Sequence, residues 1–283
     1  MQKIILVSFA DSRYRNALAR LENYTRDFPF TERHFHTEKN TFTREYWHNL
    51  KPWLYRRGYG YWEWKGHLVR HYLGRMETDD ILVWSDAGVY WNNTPKAKYR
   101  FKEYCNLLGG DKNILAFQEP YIEQEWSKGD LLVALKAYND DEICLSKQLW
   151  TGCFFIKKVP ETVNLIDKWA SINERRHELE TDKRSKVPNK KGFKEHRHDQ
   201  SSFSVLVKNI PHIEISHTET QPVVKGDWES MKDFPIQARR HKEKLRPIPV
   251  IIKNKLLRPW RMFLNFYFRK IRDYDYLTRS YPW

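Results

Sequence analysis

Long apolar runs, closely spaced cysteines and glycine-rich loops are all missing from this chain of 283 residues. No stretch has the apolar length that a membrane-spanning helix requires. The cysteines, Cys105, Cys144 and Cys153, are odd in number and widely spaced, which excludes a zinc motif or a disulfide framework and indicates reduced thiols. The absence of a glycine-rich phosphate loop excludes Walker-type and dinucleotide-binding sites.

Positive charge and aromatic rings are what the chain has in excess. The formal net charge is +14, and 15% of the residues are aromatic. Such a charge implies an anionic partner, which is a nucleic acid, an acidic membrane surface or a phosphorylated substrate. Aromatic rings pack cores, and they also stack on sugars, bases and cations.

The order of predicted elements is typical of an α/β domain. Residues 4–9 form an apolar run that lacks a cleavage-site pattern, so we interpret it as a first strand and expect a cytoplasmic protein. A helix is predicted over residues 14–23. A buried strand that continues into a turn and a helix opens many nucleotide-binding domains. Within the turn, Asp11 and Ser12 either cap the helix or hydrogen-bond a base or ribose.

A second strand and loop are predicted over residues 31–42, and a later strand, over residues 81–84, ends on an acid, Asp86, which is followed by Ala87 and Gly88. Open α/β sheets bind their ligands beyond the C-terminal ends of such strands, and small residues let a ligand approach the backbone closely. The alternative interpretation is that Asp86 is only a turn residue.

Lys65 follows an aromatic, glycine-containing run over residues 58–64 and falls in the first turn of a predicted helix, residues 66–76. Because helix N-termini favour anions, Lys65 is a candidate phosphate contact, with a solvated surface lysine as the alternative.

A charged segment over residues 180–194 lacks apolar periodicity, so we predict a flexible loop. It leads into a polar cluster, residues 196–200, that opens a helix through Val207. The loop is either a substrate-gated lid or an ordinary surface loop. In the cluster, Asp199 serves as a helix N-cap, as a chemical group, or as both.

The C-terminal segment 246–272 contains no acid, and its basic residues alternate with apolar ones. This composition is typical of a helix that binds an anionic membrane surface. A nucleic-acid surface and a packed terminal helix remain as alternatives.

Four segments together resemble bacterial glycosyltransferases of the GT-A fold that build surface polysaccharides such as lipopolysaccharide and capsule. The segments are residues 58–65, 85–88, 151–156 and 196–201, and the resemblance covers residues 1 to about 220. It implies a Rossmann-like α/β catalytic domain with a mixed central sheet over residues 1–225, followed by a basic helical extension over 226–283.

The resemblance also implies a function. A hexose would be transferred from a nucleotide-sugar, of the UDP type, to a hydroxyl of a growing, lipid-linked surface glycan. The enzyme would lie on the cytoplasmic face of the inner membrane, bound through residues 246–272. The stereochemistry, inverting or retaining, stays open.

The implied site residues fall into two sets. Those of the donor site are Ser8, Phe9, Ala10, Asp11, Lys65, Asp86, Ala87 and Gly88. Those of the acceptor or transferred sugar are Trp62, Trp64, Thr151, Gly152, His198 and Gln200.

A carboxylate has to accept the proton of the acceptor hydroxyl if the enzyme inverts, and Asp199 is the first candidate, with Glu119 second. Because Asp199 follows Arg197 and His198, we expect a lowered pKa and an ionised carboxylate at neutral pH. In a retaining enzyme, the same acid would position the sugar.

The family's Asp-x-Asp motif binds a divalent metal, Mn²⁺ or Mg²⁺, on the donor diphosphate. Here Asp86 matches the first acid, whereas Gly88 replaces the second. One alternative is a metal held by Asp86, the diphosphate and His217. The other uses positive side chains to neutralise the diphosphate, and these are Lys65, Arg239, Arg240 and Lys242.

Two other functions compete with this one. A nucleic-acid-binding protein would use the basic tail, but no helix-turn-helix, zinc or ribonucleoprotein motif is present. A non-catalytic carbohydrate-binding protein is favoured only by the 12 tryptophans.

Overall fold

The computed structural model describes residues 2–42 and 57–239. Contacts divide the chain into a unit of residues 1–241 and a unit of residues 242–283, and every described residue belongs to the first. The predicted membrane-binding tail lies outside the described residues. No helix within the two described ranges has the length and apolarity needed to cross a membrane.

Strands and helices alternate along the described chain. The strands are β1 Ile4–Phe9, β2 Glu32–His36, β3 Ile81–Ser85, β4 Tyr90–Trp91, β5 Ile114–Ile122, β6 Lys147–Lys157, β7 Ile213–Ile215 and β8 Ile236–Gln237. The helices are α1 Arg15–Tyr24, α2 Glu63–Leu73, α3 Pro95–Leu107, α4 Glu123–Trp126, α5 Gly129–Ala134, α6 Asp141–Leu145, α7 Pro160–Arg175 and α8 Asp199–Val207. Single 3₁₀ turns lie at His177–Leu179, His217–Glu219 and Glu229–Met231.

The central sheet has six strands in the order β2-β1-β3-β6-β5-β7. The pairs β1–β2, β1–β3 and β5–β7 are parallel, whereas β6 is antiparallel to both β3 and β5. All strands except β6 therefore point the same way, and their C-terminal ends share one edge. The mixed α/β sheet that the sequence predicted is present.

Strand β3 shows why these residues form a central strand. All five of its residues are buried, as expected for a strand that is covered on both faces. Leu82 and Trp84 pack into a core that includes α2, α7 and α8, whereas Ile81 and Val83 pack into a second core that includes α3. Because side chains alternate along a strand, this one apolar run serves both cores.

A second, two-stranded sheet pairs β4 with β8. The Asn92 side chain supports it by donating to the carbonyl oxygens of Met231 and Phe234, each at 2.8 Å. Residues 227–239, which the sequence analysis assigned to a C-terminal extension, thus pack against the elements around β4.

Residues 183–194, which we call the basic strap, belong to the segment that was predicted to be a flexible loop, and hydrogen bonds connect them to Gly129 and Asp130. Both carboxylate oxygens of Asp130 accept from the backbone N–H of Lys186, and one also accepts from Val187, at 2.9 to 3.0 Å. The strap is held further where the Gly129 N–H donates to Asn189 Oδ1 at 2.7 Å. The strap is therefore held by hydrogen bonds to a segment that is distant in sequence, and not by the packing of periodic apolar side chains.

Candidate active site at the C-terminal edge of the sheet

Lys65 stands at the centre of the site because of an unusual turn before α2. Five successive residues, Gly58 to Trp62, have φ angles between 55° and 97°. This left-handed conformation costs about 1–2 kcal/mol for each residue other than glycine. The Trp64 indole N–H donates to the Gly58 carbonyl at 3.0 Å, which closes the turn and places Lys65 in the first turn of α2.

The ammonium group of Lys65 is buried and has three acceptors. It lies 2.8 Å from Asp199 Oδ2, 3.1 Å from Asp86 Oδ1 and 3.3 Å from the Thr151 carbonyl oxygen. An ammonium has three N–H donors, so these contacts use all of them. The structure therefore does not support the predicted phosphate contact of Lys65, since that contact would break one of these bonds.

Strand pairing brings Asp86 to this position. Ser85 pairs with Cys153 in the β3–β6 register, and the Asp86 N–H continues the ladder by donating to the Gly152 carbonyl at 2.7 Å. The Trp84 indole N–H donates to Asp86 Oδ1 at 2.9 Å. The Asp86 side chain remains 37% exposed, so it faces solvent while Lys65 and Trp84 hold one oxygen.

Asp199 is the buried partner of Asp86. It is the first residue of α8, and its Oδ2 accepts from Thr151 Oγ1 at 3.2 Å as well as from Lys65. His198 occupies the N-cap position of α8, and no side chain caps this helix. The Asp199 carboxylate faces Lys65 and Thr151, so the N-cap interpretation is wrong.

The single positive charge of Lys65 interacts with two carboxylates, Asp86 and Asp199. This interaction, together with burial, sets the direction of the pKa shifts of Lys65 and Asp199. Burial acts to lower the pKa of Lys65, but Asp199 and Asp86 outweigh it and raise the pKa above its ordinary value. Burial raises the pKa of Asp199, and the charge of Asp86 adds to the rise, although Lys65 opposes both. The site thus carries a negative charge when both acids are ionised.

The expectation of a lowered pKa for Asp199 was wrong because neither neighbour in sequence supplies the charge. Burial, followed by the charge of Arg57, lowers the pKa of His198 to about 4, so its imidazole is neutral at neutral pH. Arg197 packs its guanidinium 4.1 Å from the centre of the Trp126 ring.

The predicted donor residues of the first strand are enclosed. Ser8, Phe9, Ala10 and Asp11 are all buried. The Asp11 carboxylate accepts from the backbone and the Nε of Arg13, at 2.9 and 2.8 Å, and so stabilises the turn without capping α1. Their contact with a nucleotide remains a prediction.

The loops after β1 and β3 meet through small side chains. Ala87 packs in a buried cluster with Ala10 and Leu18. Gly88, in contrast, has open space where a Cβ would lie. A larger side chain therefore fits at position 88.

The two predicted sugar-binding tryptophans differ in position. Trp64 is buried against Phe9, with ring centres 4.1 Å apart, so it belongs to the core. Trp62 is partly exposed and stacks on His198 at 5.5 Å with an interplanar angle of 22°. Trp62 is thus the tryptophan of the pair that a ligand can reach.

Gln200 and Glu119 lie in other networks. Gln200 donates to Gln148 Oε1 at 2.7 Å and to the Tyr121 hydroxyl at 3.2 Å. Glu119 accepts from Gln221 Nε2 at 2.8 Å. Because Glu119 contacts Gln221 and not Lys65, Asp199 is the better candidate for the base.

The residues proposed for a metal do not converge. His217 follows β7, which lies three strand positions from β3, or roughly 14 Å at the usual strand spacing. Among residues 2–42 and 57–239, no group of three His, Cys, Asp or Glu side chains is arranged to hold a metal ion. Asp86 also has an ammonium beside it, which disfavours a second cation. The residues present therefore do not fit a protein-held metal.

The other positive side chains proposed for the diphosphate do not complete a phosphate site. Arg239 lies over the Trp228 ring, 5.8 Å from its centre. Arg240 and Lys242 lie outside the described residues.

A second buried polar cluster, which the sequence analysis missed, lies behind Asp199. The Glu180 carbonyl oxygen is 2.6 Å from His198 Nδ1, and Lys128 Nζ donates to the Thr181 carbonyl at 3.0 Å. The Glu180 carboxylate is buried beside the Ser202 side chain, which acts to lower its pKa against the effect of burial. Burial raises the pKa of Glu180 to about 8 and lowers that of Lys128 to about 8. Because the residues around Glu180 in sequence are mostly charged, the sequence pattern did not predict that Glu180 is buried.

Comparisons with known proteins give fold-level likenesses only. No family model and no curated protein matches the sequence. A glycosyltransferase involved in the glycosylation of the major capsid of PBCV-1 is 15% identical, with a TM-score of 0.43 over 83% of this chain and 93% of that chain.

Two other solved structures are similar in the same range. Mouse xyloside xylosyltransferase 1 is 13% identical, with a TM-score of 0.42 over 85% of this chain and 96% of that chain. The galactosyltransferase LgtC, in complex with donor and acceptor sugar analogs, is 16% identical, with a TM-score of 0.38 over 86% and 81%. These values are too low to establish a family or a reaction for this chain.

Proposed function

We propose that this chain is a glycosyltransferase that moves a hexose from a UDP-type nucleotide-sugar to a hydroxyl of a lipid-linked bacterial surface glycan. The observation that supports it is the pair of carboxylates, Asp86 and Asp199, bridged by the buried ammonium of Lys65 at the C-terminal edge of the sheet. Parallel α/β sheets bind ligands at this edge. The donor and acceptor classes come from the sequence resemblance.

The two carboxylates have different roles in this proposal. Asp86, the exposed one, accepts hydrogen bonds from the hydroxyls of the donor sugar, with its second contact to Trp84 fixing its orientation. Asp199 accepts the proton of the attacking hydroxyl. Its raised pKa favours this step, because a base is most effective when its pKa approaches the working pH.

Lys65 acts by holding both acids in place. A carboxylate whose position is set before the substrate arrives needs no reorganisation in the transition state. The positive charge of the same ammonium also reduces the repulsion between the two carboxylates. Lys65 is therefore a positioning residue in this proposal.

The experiment measures UDP release from a panel of UDP-sugars, with and without added glycan acceptors. Asp86→Asn and Asp199→Asn are expected to lower the rate by about 100-fold or more, the usual effect of removing one group that acts in the transition state. The matched control is Asp111→Asn, which changes an exposed acid. Unchanged release by Asp86→Asn would refute the proposal, and sugar binding without UDP release would indicate a carbohydrate-binding protein.

A separate variant tests whether the proposed activity requires a divalent metal. Gly88→Asp supplies the second acid of the Asp-x-Asp motif, and the open space at Gly88 accommodates it. We expect the natural chain to keep its activity in EDTA, and Gly88→Asp to gain sensitivity to Mn²⁺. Loss of the natural activity in EDTA, restored by Mn²⁺, would show that a metal is required.

A further inference from the structure

We propose that Arg197, Trp126 and the basic strap form a subsite for an acidic sugar of the acceptor, one that carries a carboxylate or a phosphate. That this sugar belongs to the acceptor depends on the proposed glycosyltransferase function. The binding of an acidic oligosaccharide does not rest on it, because the observations below concern side chains that lie outside the Lys65 centre.

The subsite begins with a stack of three side chains. The Arg197 guanidinium lies 4.1 Å from the centre of the Trp126 ring and 5.8 Å from that of Tyr121. The two rings are themselves 4.6 Å apart. A backbone hydrogen bond from Arg197 to the Trp126 carbonyl, at 3.0 Å, fixes the stack. A planar guanidinium beside aromatic faces is suited to a sugar that bears an anionic group.

Two donors in this stack lack acceptors. Arg197 Nε and Trp126 Nε1 are both buried, and neither has a hydrogen-bond partner among the described residues. A buried donor without an acceptor destabilises the protein relative to one that is hydrogen-bonded. Two N–H groups without acceptors, on stacked side chains, are the donors that an oxygen-bearing ligand at this stack would use.

The acids around Arg197 are engaged elsewhere. Glu125 pairs with Lys194 at 3.0 Å, and Glu195 pairs with Arg57. Glu119 accepts from Gln221 at 2.8 Å. Arg197 forms no ion pair within the part of the chain that the structure describes, so its charge is open to a ligand anion.

The basic strap extends this positive surface. It has six basic residues and no acid, and four of the six are exposed, namely Arg184, Lys186, Lys191 and Lys194, of which Lys194 is paired with Glu125. The Asp130 carboxylate accepts from backbone N–H groups of the strap, and its charge offsets part of the positive charge there. Burial lowers the pKa of Lys183, and the charge of Lys186 lowers it further, so like charges lie close together here.

The position of the strap favours a glycan over a lipid surface or a nucleic acid. Lys194 precedes Asp199 by five positions, which is roughly 17 Å even when fully extended. A short oligosaccharide whose hydroxyl lies at Asp199 would therefore reach the strap. Since hydrogen bonds already hold the strap, an anion does not have to order it on binding.

The test is a binding measurement with the full chain. The probes are hexagalacturonate, which is acidic, and maltohexaose, which is neutral, titrated in a calorimeter at low salt. We expect the natural chain to bind hexagalacturonate at least tenfold more tightly than maltohexaose, and 0.5 M salt to reduce that preference.

Variants locate the site. Arg197→Gln is expected to weaken hexagalacturonate binding about tenfold, and Trp126→Phe, which keeps the ring but removes the N–H, about threefold. Arg197→Lys preserves the charge and should keep part of the affinity. The matched control, Lys102→Gln, removes an exposed charge on α3 and should change nothing. A folded Arg197→Gln variant that binds as the natural chain does would overturn the proposal.

Two further outcomes are informative. Equal affinity for the acidic and neutral probes, or binding only to phosphatidylglycerol vesicles or to RNA, would overturn the acidic-sugar subsite. Hexagalacturonate binding that is lost in Arg197→Gln, in a chain that releases no UDP, would keep the subsite and refute the transferase. UDP release by a chain that binds the acidic and neutral probes equally would keep the transferase and refute the subsite.

Discussion

A single buried lysine organises the candidate site. The aromatic run before Lys65 marked it in the sequence, but its role was expected to be contact with phosphate at a helix N-terminus. Burial changes that role, because an ammonium removed from water has to be paired. Lys65 forms ion pairs with Asp86 and Asp199, which lie 21 and 134 positions away in sequence.

Replacing this lysine tests the arrangement. Lys65→Met is expected to lower the free energy of unfolding by about 3–5 kcal/mol, because it leaves a buried carboxylate without its counter-charge. The double variant Lys65→Met/Asp199→Asn should lose less than the sum of the two single variants. Urea unfolding measures both, and Lys102→Met serves as an exposed control. A Lys65→Met variant as stable as the natural chain would show that the ion pairs are absent.

The buried carboxyl of Glu180 predicts a pH dependence of stability. Its pKa rises to about 8 from an ordinary 4.5. A raised folded-state pKa stabilises the fold fully below the unfolded pKa, and this contribution is lost as the pH rises towards the folded pKa. Stability should thus fall between about pH 5 and pH 8, with Asp199 and Lys128 as the charged groups beside Glu180.

Glu180→Gln cannot ionise and should be free of that loss. Relative to the natural chain, the variant should gain a few kcal/mol of unfolding free energy between about pH 5 and pH 8. Denaturant unfolding at several pH values measures the difference. Above pH 8 the titration of Lys128 also contributes, so the comparison belongs below it. Parallel stability curves for the two chains would contradict the assignment.

Among the elements, the basic strap shows how a segment without periodicity becomes ordered. Its backbone N–H groups have a carboxylate partner in Asp130, which lies more than fifty residues earlier in sequence. Gly129 lets the strap approach closely, because a Cβ there would lie 2.6 Å from the Pro188 carbonyl oxygen. Neither contact follows a spacing that a sequence pattern can show.

Loss of these contacts should expose the strap to protease. In Asp130→Ala, the backbone N–H groups of Lys186 and Val187 lose their acceptor, so we expect trypsin to cleave within residues 183–194 about tenfold faster. Gly129→Ala should act in the same direction. Limited proteolysis followed by mass spectrometry identifies the cut sites, with Asp111→Ala as the control. Equal cleavage rates in all four chains would mean that the strap is not held this way.

For the molecule as a whole, charge is the property with the widest consequence. The net charge is +14, and residues 246–272 contain no acid. Each basic residue near an anionic surface contributes on the order of 1 kcal/mol. Membrane binding through this tail is a proposal that rests on sequence, since these residues lie outside the described part of the chain.

Deletion of residues 246–283 tests membrane binding. The full chain is expected to float with vesicles that contain phosphatidylglycerol, and the truncated chain to remain in the soluble fraction. Vesicles of phosphatidylcholine alone control for apolar binding, and 0.5 M salt should weaken the interaction. Equal flotation of the two chains would remove the tail from the proposal.

The amino-acid sequence alone was enough to predict the alternation of strands and helices, and the position of Asp86 at a strand end. Apolar periodicity is a local property, and strands such as β3 carry it clearly. The set of side chains that meet at Lys65 required the tertiary structure. Strand order, the β3–β6 register and the start of α8 bring Asp86, Thr151 and Asp199 to one ammonium, and such long-range pairings leave no periodic trace in the chain.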